Sequence, residues 1–246
     1  MINISIDYEF DWGGRVKTAK AIERVTLPLL ESLERAGAKG TFFVSAETVA
    51  ATTPMLRLIA DAGHEIASHG FHHDIRYDTL SRGELETEIR SSKETLEDAL
   101  GVKVVGFRTP QFRKNRYTEE VLASMGFAYD SSSVNTSLKG RYEHRQHEYG
   151  LLPEIPVSTI YGRFPAGIKW INLLGAKFDP DDIRVIYVHP FDLLSMAETL
   201  HSYAKGISPV VLAFYLARFG SPLGTIEHVA QGSRTLASIV AERAIG

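Results

Sequence analysis

The chain contains no cysteine, and this absence excludes several kinds of site at once. Without thiols there can be no disulfide, no thiolate metal ligand and no cysteine nucleophile. Long apolar runs are also missing, since no stretch reaches the ~18 residues that a membrane-spanning helix requires. Basic charge is not in excess either, because the formal net charge is -3. We therefore expect neither a membrane span nor a nucleic-acid partner.

The amino-terminal residues contain no recognisable export signal. Such a signal needs a basic start and an apolar stretch, whereas here a short apolar segment leads directly into Asp7, Glu9 and Asp11. From this start we expect a cytoplasmic protein. The length of 246 residues suits one α/β barrel, so we expect one domain over residues 1–246.

Helix-like segments alternate with short apolar segments through the first half of the chain. Glycines stand between the two kinds of segment, where a helix end favours them, at Gly37, Gly63, Gly101 and Gly126. One predicted helix has a face with helical period, formed by Ile22, Val25, Leu29, Leu33 and Ala36. Ser81 and Glu84 have the spacing of a capping box that opens a later helix. This alternation predicts a mainly parallel sheet, as a barrel or as an open doubly wound sheet.

The second half of the chain is less regular. The polar residues 135–149 predict a long surface loop. Strands are predicted at residues 155–158 and 184–188, and a helix near residues 235–244.

Side chains with catalytic chemistry follow five of the predicted strands. They are Asp7, His69, Arg108, Asp130 and His189. Parallel α/β folds build their active sites at the carboxyl ends of their strands, so this placement predicts one site.

His69 and His73 are four residues apart, a spacing that places both imidazoles on one face of a helical turn. With one carboxylate they would hold a metal ion and leave coordination positions open for water and substrate. A solvated histidine-rich turn is the commoner reading of this motif when it stands alone. Alone, Arg108 would fit a surface cation, and the acidic residues 7–11 would fit a polar loop.

The ordered set of motifs resembles the NodB-homology domain of the polysaccharide deacetylases, carbohydrate esterase family 4. The matching segments are Ile6-Asp7-Tyr8-Glu9, His69 to His73, Phe107-Arg108-Thr109-Pro110, Tyr129-Asp130-Ser131-Ser132 and Tyr187-Val188-His189-Pro190. The resemblance covers about residues 2–195 and leaves a helical carboxy-terminal extension, residues 196–246. Residues 154–158 are similar to the subgroup associated with cell-surface polysaccharide synthesis. The fold implied is a distorted (β/α) barrel with fewer than eight regular units.

The resemblance also implies roles for individual residues. Glu9, His69 and His73 would hold a divalent metal, which would activate water. The family preference is zinc, although Co, Ni, Mn and Fe suit the same donors. Asp7 would be the general base, oriented by Arg108. The Gln111 backbone N–H would help to stabilise the oxyanion. His189, paired with Asp130, would protonate the leaving amine.

Two departures from the family pattern concern the walls and ligands of this site. Tyr8 stands where the family commonly has a second aspartate, so the next carboxylate is Glu9. Gln111 and Ser131 stand where the family often has aromatic residues.

The implied function is metal-dependent removal of N-acetyl or similar acyl groups from a sugar. A cytoplasmic enzyme would act on a nucleotide-linked or lipid-linked precursor of a surface glycan, such as an O-antigen, lipopolysaccharide or capsule. One alternative is hydrolysis of a cyclic amide or ureide on the same scaffold. Another is a non-catalytic glycan-binding protein, whose expected sign is the loss of the base or of a metal ligand. Release of acetate, measured against ring opening, separates the enzymatic alternatives.

Overall fold

The computed structural model describes residues 2–134, 143–147, 150–160, 164–165, 167–168, 171, 184–203 and 222–245. In chain order the strands are β1 (Ile2–Tyr8), β2 (Thr41–Val44), β3 (Glu65–Ser68), β4 (Gly106–Phe107), β5 (Tyr129–Asp130), β6 (Glu143–His147), β7 (Gly150–Glu154), β8 (Thr159–Ile160), β9 (Phe164–Pro165) and β10 (Arg184–Val188). The described α-helices are α1 (Lys20–Arg35), α2 (Val49–Asp61), α3 (Arg82–Leu100), α4 (Thr118–Ser124), α5 (Met196–Tyr203), α6 (Pro222–Val229) and α7 (Leu236–Ile245).

One curled sheet carries the fold, with the strand order β10-β1-β2-β3-β4-β5-β7-β6. Every neighbouring pair is parallel except β6 and β7, which form an antiparallel hairpin at one edge. Regular strand and helix alternation runs from β1 through α4 to β5, which makes four βα units. The predicted distorted (β/α) barrel with fewer than eight regular units is confirmed.

The two faces of the sheet bury different residues because side chains alternate along a strand. On β2, Phe42 and Val44 pack into the core beneath the helices, whereas Phe43 joins a second cluster on the opposite face. β1 alternates apolar and polar residues, so that Ile4 and Ile6 pack with the helices while Ser5 and Asp7 are buried on the other face. The polar face of β1 therefore lies inside the barrel, where it can build a site.

The predicted helix signals are confirmed. The face of α1 that the sequence predicts is buried at Ile22, Val25, Leu29 and Leu33. Ser81 and Glu84 form a reciprocal capping box at the start of α3. Gly101 ends α3 with a φ of 67°, and its N–H donates to the Glu97 carbonyl over 2.8 Å. A left-handed residue at this position is favourable for glycine because it has no Cβ.

The predicted surface loop over residues 135–149 is wrong where the structure describes it. Residues 143–147 form β6, paired with β7, whereas residues 135–142 and 148–149 lie outside the described part of the chain. An edge strand takes its hydrogen bonds from one neighbour, so a polar segment can form one without apolar alternation. The strand predicted at 155–158 is reduced to a single bridge between Val157 and Val134, while the strand at 184–188 is confirmed.

The last described helix, α7, confirms the helix predicted near residues 235–244. It lies against the amino-terminal ends of the strands, since Ala237 N–H donates to Glu65 at the start of β3 and Asn3 on β1 donates to the Arg234 carbonyl. None of the helices in the described ranges combines the length and apolar character needed to cross a membrane.

Candidate active site

Asp7 and Glu9 lie at the carboxyl end of β1 and are buried, with 2% and 1% of their surfaces exposed. Two residues apart along extended backbone, they point to the same side. Tyr8 points the other way, and its hydroxyl lies 3.1 Å from the Thr26 hydroxyl on α1. Both carboxylates therefore lie on the site side of the chain, whereas Tyr8 packs toward α1.

Glu9, His69 and His73 form a compact buried group, which we call the ligand cluster. Each offers one donor atom, and these atoms lie within 4.8 Å of one another. His69 Nε2 is 3.6 Å from Glu9 Oε2, and His73 Nε2 contacts the same oxygen. The structure thus brings together the three residues that the sequence predicts as metal ligands.

Hydrogen bonds to the far side of each imidazole orient the two histidines. His69 Nδ1 lies 2.8 Å from the Arg108 carbonyl oxygen, and His73 Nδ1 lies 3.0 Å from that of Gly13. A carbonyl only accepts, so each Nδ1 carries a proton and each Nε2 presents a lone pair to Glu9 when the imidazole is neutral. Metal-binding histidines are commonly fixed in this way.

The donor atoms of the ligand cluster fit a metal cation. Within the described residues, the buried Glu9 Oε2 has no hydrogen-bond donor. Burial opposes ionisation of Glu9, but His73, His69 and His189 outweigh burial and lower its pKa. Burial lowers the pKa of His73, but Glu9 outweighs burial and raises it. One proton satisfies a single nitrogen, whereas a divalent cation satisfies all three donors, so these residues fit a metal.

Arg108 binds Asp7 through its guanidinium group. The guanidinium is fully buried, and its Nη1 donates to Asp7 Oδ1 over 2.6 Å and to Ser5 Oγ over 2.9 Å. Its other side donates to Ser131, and its carbon lies 4.0 Å from the centre of the Phe43 ring. The alternative of a surface cation is excluded.

His189 follows β10 and approaches the cluster from the side opposite residues 69–73, which we call the histidine loop. Its Nε2 lies 3.8 Å from Glu9 Oε1, and its Nδ1 lies 2.9 Å from Asp192 Oδ2. Burial alone would lower the pKa of His189, but the carboxylates of Asp192, Glu9 and Asp7 raise it to about 9. This raised pKa favours the protonated imidazole at neutral pH, and the Nε2 atom points toward the site.

The predicted pairing of Asp130 with His189 is wrong. Asp130 Oδ2 lies 2.9 Å from Lys114 Nζ, and Asp130 Oδ1 accepts from the Ser132 N–H over 3.1 Å. Burial raises the pKa of Asp130, against the opposing effect of Lys114. Four strands separate β5 from β10 in the sheet order, whereas Lys114 belongs to the loop between β4 and α4. Asp130 thus lies in the site wall and not beside the predicted acid.

Asp192 and Lys114 are the residues that sequence reasoning missed. Asp192 had a usable signal, since it is three residues after His189 and closes a capping box on the short turn Pro190–Asp192. Lys114 had no comparable signal, because its neighbours Glu119, Asp130 and Glu154 come from different elements.

Gln111 lies beside the histidine loop, and its side-chain amide donates to the His73 carbonyl over 3.3 Å. Gln111 and the next residue, Phe112, have φ values of 57° and 56°, which only glycine adopts easily. Strained backbone of this kind concentrates at functional sites. The oxyanion role of the Gln111 N–H stays a prediction.

Asp11, the third carboxylate of the acidic segment, lies outside the ligand cluster. It accepts from the Thr18 hydroxyl over 2.6 Å and from the Lys20 and Ala21 N–H groups over 3.1 and 3.2 Å. Lys20 and Ala21 are the first residues of α1, so Asp11 caps this helix across the intervening turn.

Several solved structures share this fold. An allantoinase named Puue has a TM-score of 0.62 at 13% identity, covering 98% of this chain and 89% of that one. A pseudoenzyme of carbohydrate esterase family 4 from Bacillus anthracis has a TM-score of 0.55 at 14% identity, covering 98% and 65%. At such low identities these likenesses show the fold alone.

Comparison of sequences points to one family. The peptidoglycan deacetylase of Helicobacter pylori is 26% identical over 114 residues, which cover 46% of this chain and 39% of that protein. The match thus spans about two fifths of that relative's length. A Mycobacterium smegmatis structure named for the polysaccharide deacetylases is 25% identical, with a TM-score of 0.59 and coverage of 95% and 93%. The family model for polysaccharide deacetylases matches residues 7–129, half of the chain, and the chain belongs to this family.

Proposed function

We propose that the protein is a metal-dependent hydrolase that removes an N-acetyl or similar acyl group from a sugar. The observation that carries this proposal is the convergence of three chemical groups. They are the ligand cluster, the carboxylate of Asp7 held by Arg108, and the Nε2 atom of His189 close to Glu9. Membership of the polysaccharide deacetylase family supports the same reaction class.

Amide hydrolysis needs a proton removed from water and a proton delivered to the leaving nitrogen. When bound in the ligand cluster, a divalent cation would supply Lewis acidity toward water and the acyl oxygen. Asp7 accepts the proton of the attacking water, and Arg108 keeps its carboxylate in place. The Gln111 N–H donates to the acyl oxygen as negative charge develops there. His189 protonates the nitrogen as the C–N bond breaks, which leaves a carboxylate and an amino sugar.

The finer parts of the proposal concern metal, substrate and location. Two imidazoles and one carboxylate suit zinc, and equally cobalt, nickel, manganese or iron, and we propose zinc. We propose as substrate a nucleotide-linked or lipid-linked N-acylated sugar, a precursor of a surface glycan such as an O-antigen or capsule, and a cytoplasmic location to match.

Acetate release tests the proposal. The purified protein is freed of metal by a chelator, reloaded with Zn²⁺ or Co²⁺, and incubated with nucleotide-linked N-acetylhexosamines, N-acetylglucosamine oligomers, peptidoglycan and allantoin. We expect acetate from an N-acetylated sugar with either metal and none after chelation. Ring opening of allantoin without acetate release would favour the ureide alternative.

Two variants accompany this assay, one that removes the proposed acid and one that serves as a control. His189→Ala removes the proposed acid but none of the three residues of the ligand cluster, so it should keep its metal and lose ~10²–10⁴-fold in kcat. Asp11→Asn changes a carboxylate outside the cluster and should keep both metal and activity. Loss of metal in His189→Ala would contradict the roles assigned here.

A further inference from the structure

The turn between β1 and α1 contains three consecutive residues in left-handed backbone. Trp12, Gly13 and Gly14 have φ values of 60°, 71° and 73°. Glycine adopts this conformation freely, whereas a bulky residue such as tryptophan is strained there. Surrounding contacts must therefore hold Trp12 in place, and strain of this kind marks positions where geometry serves function.

The strained turn reaches two parts of the site at once. Its backbone places the Gly13 carbonyl oxygen 3.0 Å from His73 Nδ1, inside the ligand cluster. Its Trp12 ring, 7% exposed, stacks on Phe191 with 5.2 Å between centroids and 17° between planes. Phe191 in turn stacks on His189 at 4.7 Å and 11°. Trp12, Phe191 and His189 form one continuous stack, which we call the aromatic stack.

The aromatic stack supplies a constraint that the Asp192 hydrogen bond does not. A hydrogen bond from His189 Nδ1 to Asp192 fixes the direction of one N–H but leaves the imidazole plane free to tilt about that bond. A ring pressed flat on the imidazole fixes the tilt. The two contacts together aim Nε2 toward the site, where it lies 3.8 Å from Glu9 Oε1.

We infer that Trp12 is a positioning residue, which holds the imidazole of His189 through Phe191. The same left-handed turn carries, at the next residue Gly13, the carbonyl that orients His73. This inference rests on the proposed function for its kinetic consequence but not for its structural one. Tryptophan is favoured because its large ring backs Phe191, and the strain at its backbone is the cost of serving both histidines.

Three substitutions separate the ring from the backbone. Trp12→Gly removes the ring and relieves the backbone strain, whereas Trp12→Phe keeps a smaller ring and the strain. Phe10→Ala is the control, because it removes a partly buried ring from the same turn, one that lies near Lys17. We expect Trp12→Gly to keep one metal per chain and an unchanged KM while kcat falls ~10²-fold, the scale of a small misplacement of a reacting group. Trp12→Phe should stay within ~5-fold of wild type.

A kcat in Trp12→Gly equal to that of wild type would overturn the inference. An equal loss of kcat in Trp12→Phe and Trp12→Gly would do the same, because it would show that the retained ring has no effect. Circular dichroism and thermal unfolding of each variant, at the assay temperature, verify that the compared proteins are folded.

Nuclear magnetic resonance of histidine-labelled, metal-loaded protein gives a readout that needs no substrate. The His189 ring signal, assigned with His189→Gln, should move or broaden in Trp12→Gly and stay in place in Phe10→Ala. The His73 signal should stay in place in both. An unmoved His189 signal in Trp12→Gly would overturn the positioning role, whether or not a substrate is known. If the signal moves in Trp12→Gly but the wild-type protein releases no acetate, only the proposed function is refuted.

Discussion

Asp7 and Glu9 both carry a carboxylate, yet their different neighbours suit them to different roles. Glu9 meets two imidazole nitrogens and has an oxygen without a donor among the described residues, which suits a metal ligand. Asp7 accepts a 2.6 Å hydrogen bond from a buried guanidinium, which orients the carboxylate without occupying both oxygens.

The partner of His189 sets its basicity, and this can be tested by pH. The protonated form is the proposed acid, so the rate should fall as pH rises through the pKa of His189, which Asp192, Glu9 and Asp7 raise to about 9 against burial. In Asp192→Asn the adjacent negative charge is lost, so the basic limb of the kcat profile should move to lower pH. Asp130→Asn should leave the limb in place, because Asp130 contacts Lys114.

All variants in this test are loaded with the same metal, so the charge of the metal affects the pKa of His189 equally in each. Movement of the basic limb in Asp130→Asn, with none in Asp192→Asn, would restore the pairing predicted from the sequence.

Site residues were predictable where the information is local. His69 and His73 lie on the loop after β3, which does not form the predicted helical turn, but their short separation still brings both imidazoles to the site. Asp7 and Glu9 lie two residues apart where β1 ends, so they point to the same side. The partner of His189 was not predictable in this way, because the choice between Asp130 and Asp192 depends on which strands are neighbours in the sheet. Sequence motifs identify the participants, while the sheet order determines which of them touch.

At the scale of elements, α1 depends on a cap that comes from outside the helix. Ala19 at its N-cap offers no side-chain acceptor, and Asp11 accepts from two backbone N–H groups of the first turn instead. We predict that Asp11→Ala lowers the free energy of unfolding by about 2 kcal/mol, since a capping side chain and charged hydrogen bonds are both lost. Urea denaturation measures the loss.

The metal content of Asp11→Ala should match that of wild type, because Asp11 is not in the ligand cluster. An undiminished stability would show that the turn holds α1 without this carboxylate, and a missing metal would place Asp11 in the site.

His64, at the start of β3, predicts a pH dependence of stability. Its Nδ1 accepts from the Gly40 N–H over 3.0 Å, so the folded protein holds the imidazole neutral. Burial, helped by Lys39, lowers its pKa to about 4 from an ordinary value of 6.5. The unfolded chain then binds more protons between these values, and stability falls as pH drops from 6.5 to 4.

The size of this effect is up to about 3 kcal/mol, from the difference between the two pKa values. His64→Asn keeps an acceptor for Gly40 and does not titrate, so its stability should fall less steeply over the same range. Denaturation of both proteins between pH 4 and 7 measures the difference, and equal slopes would contradict it.

Of the two strands at the ends of the sheet order, one was predicted from the sequence and the other was not. The apolar strand β10 was predicted at its correct bounds because it is buried and rich in β-branched residues. The polar strand β6 was predicted as loop, because all five of its residues are polar and give no apolar period in the sequence.

At the scale of the whole molecule, the carboxy-terminal segment seals the end of the barrel opposite the site. Ser233 accepts from the Ile4 N–H and bonds to Lys39, while α7 buries Leu236, Ile239 and Val240 against the inner cluster that includes Phe43. Phe43 lies under the Arg108 guanidinium. The segment thus packs against Phe43, which in turn contacts the guanidinium of Arg108.

Leu236 tests this support because its side chain is fully buried. We predict that Leu236→Ala costs about 2–5 kcal/mol of unfolding free energy, as expected for a buried leucine that leaves a cavity. Glu242→Ala, on an exposed residue of the same helix that pairs with Arg234, should cost at most ~1 kcal/mol. Equal and small losses in both variants would show that α7 is not part of the core.

The central claim is that Glu9, and not Asp7, completes the metal site while Asp7 serves as base. Metal analysis of purified Asp7→Asn and Glu9→Gln, loaded in parallel with wild type, tests it most directly. We predict one metal ion per chain in Asp7→Asn with activity lost, and weakened metal binding in Glu9→Gln. Metal loss in Asp7→Asn with full retention in Glu9→Gln would mean that the two carboxylates have the opposite roles.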